Sequence, residues 1–172
     1  AVVAHSATLF DVFAQATDGT YKRNTSTSTG TWGGWGPVVA AGVPTVFTSS
    51  PSATRSTSTG AMFVAGKSAG NCFLVSPQNG FPLAFTGFGS CIGGVTFSSA
   101  PAIAYSHPNI YLFGRSGSSI KVATNNYNGG PYMAGAWSGF SNIVGISDAT
   151  SDPAAVWDGA KMHLAYRRSN GQ

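Results

Sequence analysis

One short motif returns three times at a nearly constant interval. Trp32-Gly33-Gly34-Trp35, Phe85-Thr86-Gly87-Phe88 and Trp137-Ser138-Gly139-Phe140 share the pattern aromatic-x-Gly-aromatic, starting 53 and then 52 residues apart. A period of about 50 residues is the signature of a supersecondary unit that buries its faces only by stacking on copies of itself. Few folds accept such a unit, so the period constrains the architecture more than any single residue does.

Two further elements keep the same period. Phe10-Asp11-Val12-Phe13-Ala14-Gln15, Ala61-Met62-Phe63-Val64-Ala65-Gly66, Ile110-Tyr111-Leu112-Phe113-Gly114-Arg115 and Lys161-Met162-His163-Leu164-Ala165-Tyr166-Arg167 are apolar strands, each running into a turn. The last turn positions align as Gly19, Gly70, Ser119 and Gly171. Before these strands, Ala1-Val2-Val3-Ala4-His5, Pro101-Ala102-Ile103-Ala104-Tyr105 and Pro153-Ala154-Ala155-Val156-Trp157 match one another. Tyr21-Lys22-Arg23 and Lys121-Val122-Ala123-Thr124 open a third strand, and a fourth follows the aromatic pair. Four short strands per unit with Gly-rich turns predict an all-β fold, a β-propeller with four-stranded blades. The blades fall at 1–48, 49–99, 100–151 and, as a first half only, 152–172. Three and a half blades leave the ring incomplete within this chain. Another chain, or the rest of a longer chain, is expected to close it.

Composition agrees. Charged residues are 8% of the chain, with five Asp and no Glu, while aromatics reach 12%. That disfavours helical bundles and most α/β enzymes. The net charge of +4 is spread thinly, and no run of cations exceeds Lys22-Arg23 or Arg167-Arg168. A phosphate-tracking surface is not indicated, so no nucleic-acid partner is expected. No apolar run approaches the length of a membrane span. Cys72 and Cys91 flank a turn-rich stretch and are expected to form a disulfide. With the many Ser and Thr, this predicts a secreted, extracellular protein. Asn24-Thr25-Ser26 is an N-glycosylation sequon at Asn24.

No catalytic constellation emerges, so the chain is expected not to be an enzyme and to need no cofactor or metal. Asp18 and Asp152 sit at repeat turns, where Asp binds the local backbone. Asp158 precedes Gly159 in what reads as a type I′ hairpin. Gly66-Lys67-Ser68-Ala69-Gly70 has the spacing of a nucleophile elbow, but an elbow opens a helix and here a hairpin is expected. His5, His107 and His163 have no partner three or four residues away and no zinc spacing.

Sugar binding asks for other residues: an aromatic platform for apolar C–H faces, and a few planar polar groups for hydroxyls. The four tryptophans, Trp32, Trp35, Trp137 and Trp157, all lie in repeat elements. Gln15, Arg115 and Arg167 share one position at the end of the second strand. These seven are the candidate sugar-binding residues. The competing reading packs the aromatics blade on blade.

Phe10-Asp11-Val12-Phe13-Ala14-Gln15-Ala16-Thr17-Asp18-Gly19-Thr20-Tyr21, the Trp32-Gly33-Gly34-Trp35 close and Asp152-Pro153-Ala154-Ala155 resemble a known family. They are similar to the bacterial seven-bladed β-propeller lectins of the Photorhabdus type, which bind fucose and related sugars. The resemblance implies glycan partners held in shallow pockets between neighbouring blades. The second unit departs from the pattern, with Phe85 and Phe88 in place of Trp. The alternative is a structural or adhesive propeller that serves protein–protein assembly.

Overall fold

A computed structural model describes residues 1–27, 29–39, 45–79, 84–127 and 136–172. It contains three four-stranded antiparallel sheets and a two-stranded one. The first sheet runs β1 (Val2–Ala4), β2 (Phe10–Gln15), β3 (Tyr21–Thr25), β4 (Gly36–Pro37). The second runs β5 (Ser52–Arg55), β6 (Met62–Lys67), β7 (Phe73–Asn79), β8 (Ala84–Phe85). The third runs β9 (Ala102–Ser106), β10 (Asn109–Ser116), β11 (Ser119–Asn126), β12 (Ser141–Asn142). The last pairs β13 (Ala154–Trp157) with β14 (Met162–Ala165). The first strands of successive sheets touch, β1 to β5, β5 to β9 and β9 to β13, and so line the inside of the array. This is a β-propeller of three blades and half of a fourth, with its ring open.

Burial shows why the strands read as they do. β6 and β9 lie in the middle blades, are buried on both faces, and are continuous apolar runs. β2, β13 and β14 belong to the end blades and alternate in exposure. Each pair of blades traps its own core. Phe13, Tyr21, Phe47, Val64 and Phe85 fill the first junction. Phe63, Phe73, Phe97, Ile103 and Leu112 fill the second. Phe113, Ile120 and Ala149, with Leu164 and Tyr166 against them, fill the third.

The first two junctions share one packing device. Tyr21 stacks on Phe47 at 4.0 Å, and Phe73 stacks on Phe97 at 3.9 Å. Each stacked pair presses on a glycine of the next blade. A Cβ at Gly66 would overlap the Tyr21 hydroxyl and come within 2.5 Å of Phe47 Cδ1. A Cβ at Gly114 would overlap the Phe73 ring and come within 2.7 Å of Phe97 Cδ1. Phe88 and Phe140, the closing residues of the aromatic-x-Gly-aromatic motif, cap these stacks edge-on at 4.5 and 4.7 Å. The third junction inverts the arrangement. Ile120 and Ala149 replace the stacked rings, and Tyr166 stands where the glycine was.

The connections between blades are laced to both neighbours. The Phe47 N–H donates to Gly19 C=O in the first blade, while the Thr48 N–H donates to Lys67 C=O in the second. Phe97 and Ser98 do the same with Asn71 and Arg115, and Ala149 and Thr150 with Ser118 and Arg167. Asn71 and Ser118, not Gly70 and Ser119, are thus the counterparts of Gly19. Asn71 takes the left-handed conformation, φ 59°, which Asn tolerates through its short polar side chain. The Asp158-Gly159 hairpin is not type I′. Type I′ needs positive φ at both central residues, yet Gly159 is left-handed and Asp158 is not. Asp158 and Lys161 face each other instead, through a 3.2 Å backbone bond.

The Cys72–Cys91 disulfide is formed and closes a 19-residue separation. Restricting the unfolded chain over such a loop stabilises by about 3 kcal/mol. Cys72→Ser/Cys91→Ser is expected to lose about that much, read as a lower urea midpoint. Adding reductant should shift the parent protein alike and leave the variant unmoved.

Candidate functional site

The backbone sends the candidate residues to two separate regions. Trp32 forms an isolated bridge with Ser26, and Trp35 follows just before β4. Both are exposed, at 48% and 55%. Their counterparts in the second blade are covered by the first. Phe85 is 6% exposed, edge-on to Phe13, with the Arg23 guanidinium 5.9 Å from its ring centre. Trp137 is partly buried against the second junction's core, and Trp157 ends β13 half-buried. Blade-on-blade packing therefore accounts for Phe85, Phe88, Trp137 and Phe140, while Trp32 and Trp35 present open faces.

Gln15, Arg115 and Arg167 lie at the hairpin ends of the blades, and each turns to a neighbouring backbone or linker group. Gln15 Nε2 donates to Phe47 C=O at 2.5 Å. Arg115 donates to Gly117 C=O at 2.8 Å and Ser98 C=O at 3.4 Å. Arg167 Nε reaches Thr150 Oγ1 at 3.4 Å. Lys67 shares their position and was missed, because the second unit's strand reads as ending one residue earlier, at Gly66. A serine staples each of the last three: Ser49, Ser99 and Ser151 accept the backbone N–H of Lys67, Arg115 and Arg167 at 3.1, 2.8 and 2.8 Å. The recurring Ser-x-Pro at 49–51, 99–101 and 151–153 is the signal that could have found them.

Two clefts offer aromatic surface with polar groups. One, of about 430 Å³, is lined by Thr8, Phe10, Ser26, Thr29, Gly30 and Trp32. The Thr27, Thr29 and Thr31 hydroxyls form a chain beside it. The other is a groove of about 240 Å³ at the junction of the first and second blades. Asp18, Thr20 and Lys22 form its polar side, and Tyr21, Phe47 and Phe88 its aromatic side. The Thr20 hydroxyl and N–H both donate to Asp18, at 2.6 and 2.9 Å, and hold its carboxyl below the usual range. Asp18 is therefore a fixed acceptor at neutral pH. Burial pushes the Tyr21 phenol up, against a 2.8 Å hydrogen bond to Ser49 C=O, so it stays a neutral donor. Neither cleft includes Gln15, Arg115 or Arg167.

A third polar group is internal. Asp11 is fully buried and accepts from Arg23 at 2.6 and 2.9 Å, from Thr25 at 2.5 Å, and from His5. Burial alone would raise its carboxyl, but the Arg23, Thr25 and His5 hydrogen bonds prevail and hold it below the usual range. His5 and His163 do have partners, Asp11 and Asp158. Both lie across a hairpin, where helical spacing rules do not look. Asn24, the sequon residue, sits in β3 opposite Val12 with its Oδ1 buried. Among the described residues no group of three His, Cys, Asp or Glu could hold a metal ion, and no helix is long and apolar enough to cross a membrane.

Neither a protein-family model nor a curated protein sequence matches the chain. Solved structures do. A triple arginine-to-alanine mutant of AofleA from Arthrobotrys oligospora superposes with a TM-score of 0.73 at 15% identity, over 99% of this chain and 50% of that one. The Aleuria aurantia lectin, an asparagine-to-glutamine mutant in complex with α-methyl-L-fucoside, superposes with a TM-score of 0.68 at 16% identity, over 99% of this chain and 54% of that one. The chain spans about half the length of either. At such identity the likeness concerns the fold. The likeness bears out the β-propeller fold, and the bacterial type suggested by the motifs stays an expectation.

Proposed function

We propose that the chain is a non-catalytic, carbohydrate-binding part of a secreted β-propeller lectin. The groove at the first blade junction carries this reading. It sets the Phe88 and Phe47 rings against an ionised Asp18, a Thr20 hydroxyl and the Lys22 ammonium. That is the pairing a sugar needs, an apolar wall for its C–H face and fixed polar groups for its hydroxyls. A fucoside bound to a lectin of the same fold makes methyl α-L-fucoside the first sugar to test.

Charge-assisted hydrogen bonds to a ligand are worth about 1.5–3 kcal/mol, or roughly tenfold to hundredfold in affinity. Lys22→Ala and Asp18→Asn are each expected to weaken saccharide binding at least tenfold, with thermal unfolding unchanged. A glycan array followed by titration reads this. Silence of the parent protein across fucosylated, galactosylated and methylated sugars would sink the lectin reading. Normal binding by both variants would move the site elsewhere, with Trp32→Ala then testing the other cleft.

A second reading is favoured by the open Trp32–Trp35 face. In the second and third blades the same motif packs on the preceding blade. We infer that this face seats a further blade, from another chain or the rest of a longer one, as in a structural or adhesive propeller. The mass of the native assembly decides between a lone unit and a closed ring.

A further inference from the structure

The second junction differs from its neighbours on the hairpin face of the blades. A cleft of about 320 Å³ opens there, lined by Lys67, Asn71, Thr96, Ser98, Ser116 and Gly117 around the edge of Phe97. Hydroxyls, an amide and an ammonium face it, and no carboxylate does. We propose that this cleft binds the anionic group, carboxylate or sulfate, of an acidic saccharide. The proposal rests on the sugar-binding reading and adds the class of sugar.

Three observations carry it. First, the Lys67 ammonium has no hydrogen-bond or ion-pair partner among the described residues, although Gln15, Arg115 and Arg167, at the same position, are all engaged. Second, Arg115 donates to the carbonyls of Gly117 and Ser98, two residues of the cleft's own wall. A second positive charge is therefore fixed beside it. Third, the next junction shows what fits. Lacing and register place Asp148 where Thr96 stands and Arg168 where Ser116 stands. There the chain's own carboxylate sits 2.7 Å from Arg168 Nε, which raises the guanidinium further through that hydrogen bond. The same place between the second and third blades is wide, cationic and lacks an acid. A ligand's anionic group supplies the missing charge, and the surrounding hydroxyls and the Asn71 amide suit the sugar ring that bears it.

Methyl β-D-glucuronide and methyl β-D-glucoside differ only in the carboxylate, so titrating both isolates the anion. The glucuronide is expected to bind roughly five- to tenfold tighter in dilute salt. Lys67→Gln gives the cleft the side chain of its first-junction counterpart. It should abolish that preference and leave fucoside binding at the first junction intact, while Lys67→Arg keeps the preference. A sulfated galactoside run in parallel tells sulfate from carboxylate preference, and either supports the proposal. Equal affinity for glucuronide and glucoside, with the sulfated galactoside bound no tighter than its unsulfated parent, overturns it while the lectin reading stands. So does an unchanged preference in Lys67→Gln, or binding of inorganic sulfate with neither acidic sugar. Binding of no saccharide at all overturns both readings.

Discussion

Phe73→Ala is expected to destabilise the chain by about 4 kcal/mol, as large-to-small changes at a buried aromatic do. Phe73 is fully buried, stacked on Phe97, and faces Phe140 at 6.1 Å. Removing its ring empties the middle of the second junction and frees Phe97 on one side. The reciprocal change is Gly114→Ala. It adds one carbon where the Phe73 ring already lies, and overpacking of this kind costs about 2 kcal/mol. The two changes touch, so they should not add. In Phe73→Ala/Gly114→Ala the new methyl enters the vacated space, and the double variant should be more stable than the sum by about 1–2 kcal/mol. Urea unfolding of the four proteins measures the coupling. Strict additivity would mean that Gly114 is not set by the ring that covers it.

Asp11→Ala is expected to cost a similar amount, about 4 kcal/mol, because it strips a buried ion pair of one partner. The carboxylate serves Arg23, Thr25 and His5 together. Its loss leaves the Arg23 charge in an enclosed junction, next to the Phe85 ring. Replacing both partners with leucine should cost far less than Asp11→Ala alone, since no uncompensated charge remains. The pH dependence has a definite sign. Asp11 is more acidic folded than unfolded, so its contribution is complete above the unfolded value near 4 and is lost as pH falls through the folded value. Stability should therefore decline below about pH 4 in the parent protein and less steeply in the double leucine variant. Equal acid slopes would show that the cluster does not govern acid unfolding.

The repeat period made the fold legible because each blade must present the same strands to its neighbours. Aromatic residues 53 and 52 residues apart mark the surfaces that stack. The motif alone left two roles open. Phe88 and Phe140 became junction caps because a preceding blade covers them, whereas Trp32 and Trp35, of the same pattern, stay open. Gly66 and Gly114 were legible as strand residues but not as contact points, because the rings they meet arrive from linkers and strands of another blade. Asp11 looked like part of an apolar strand motif. Its partners come from the β1–β2 connection and from β3, through cross-strand placement that no helical or turn spacing reveals. Lys67 was hidden because the second unit's strand runs one residue past Gly66, and the lacing of Thr48 to its carbonyl puts it in register with Arg115 and Arg167.

The exchange of rings for a tyrosine at the third junction gives the blades an order that cannot be shuffled. A copy of the second blade could follow the second again and again, since Phe73 and Phe97 would meet a glycine, Gly66 or Gly114, each time. Tyr166 has room only beside Ile120 and Ala149. Grafted behind the first or second blade, it would collide with a stacked aromatic pair. A modular array made from these units can therefore be lengthened at its middle, while the fourth blade accepts a single predecessor.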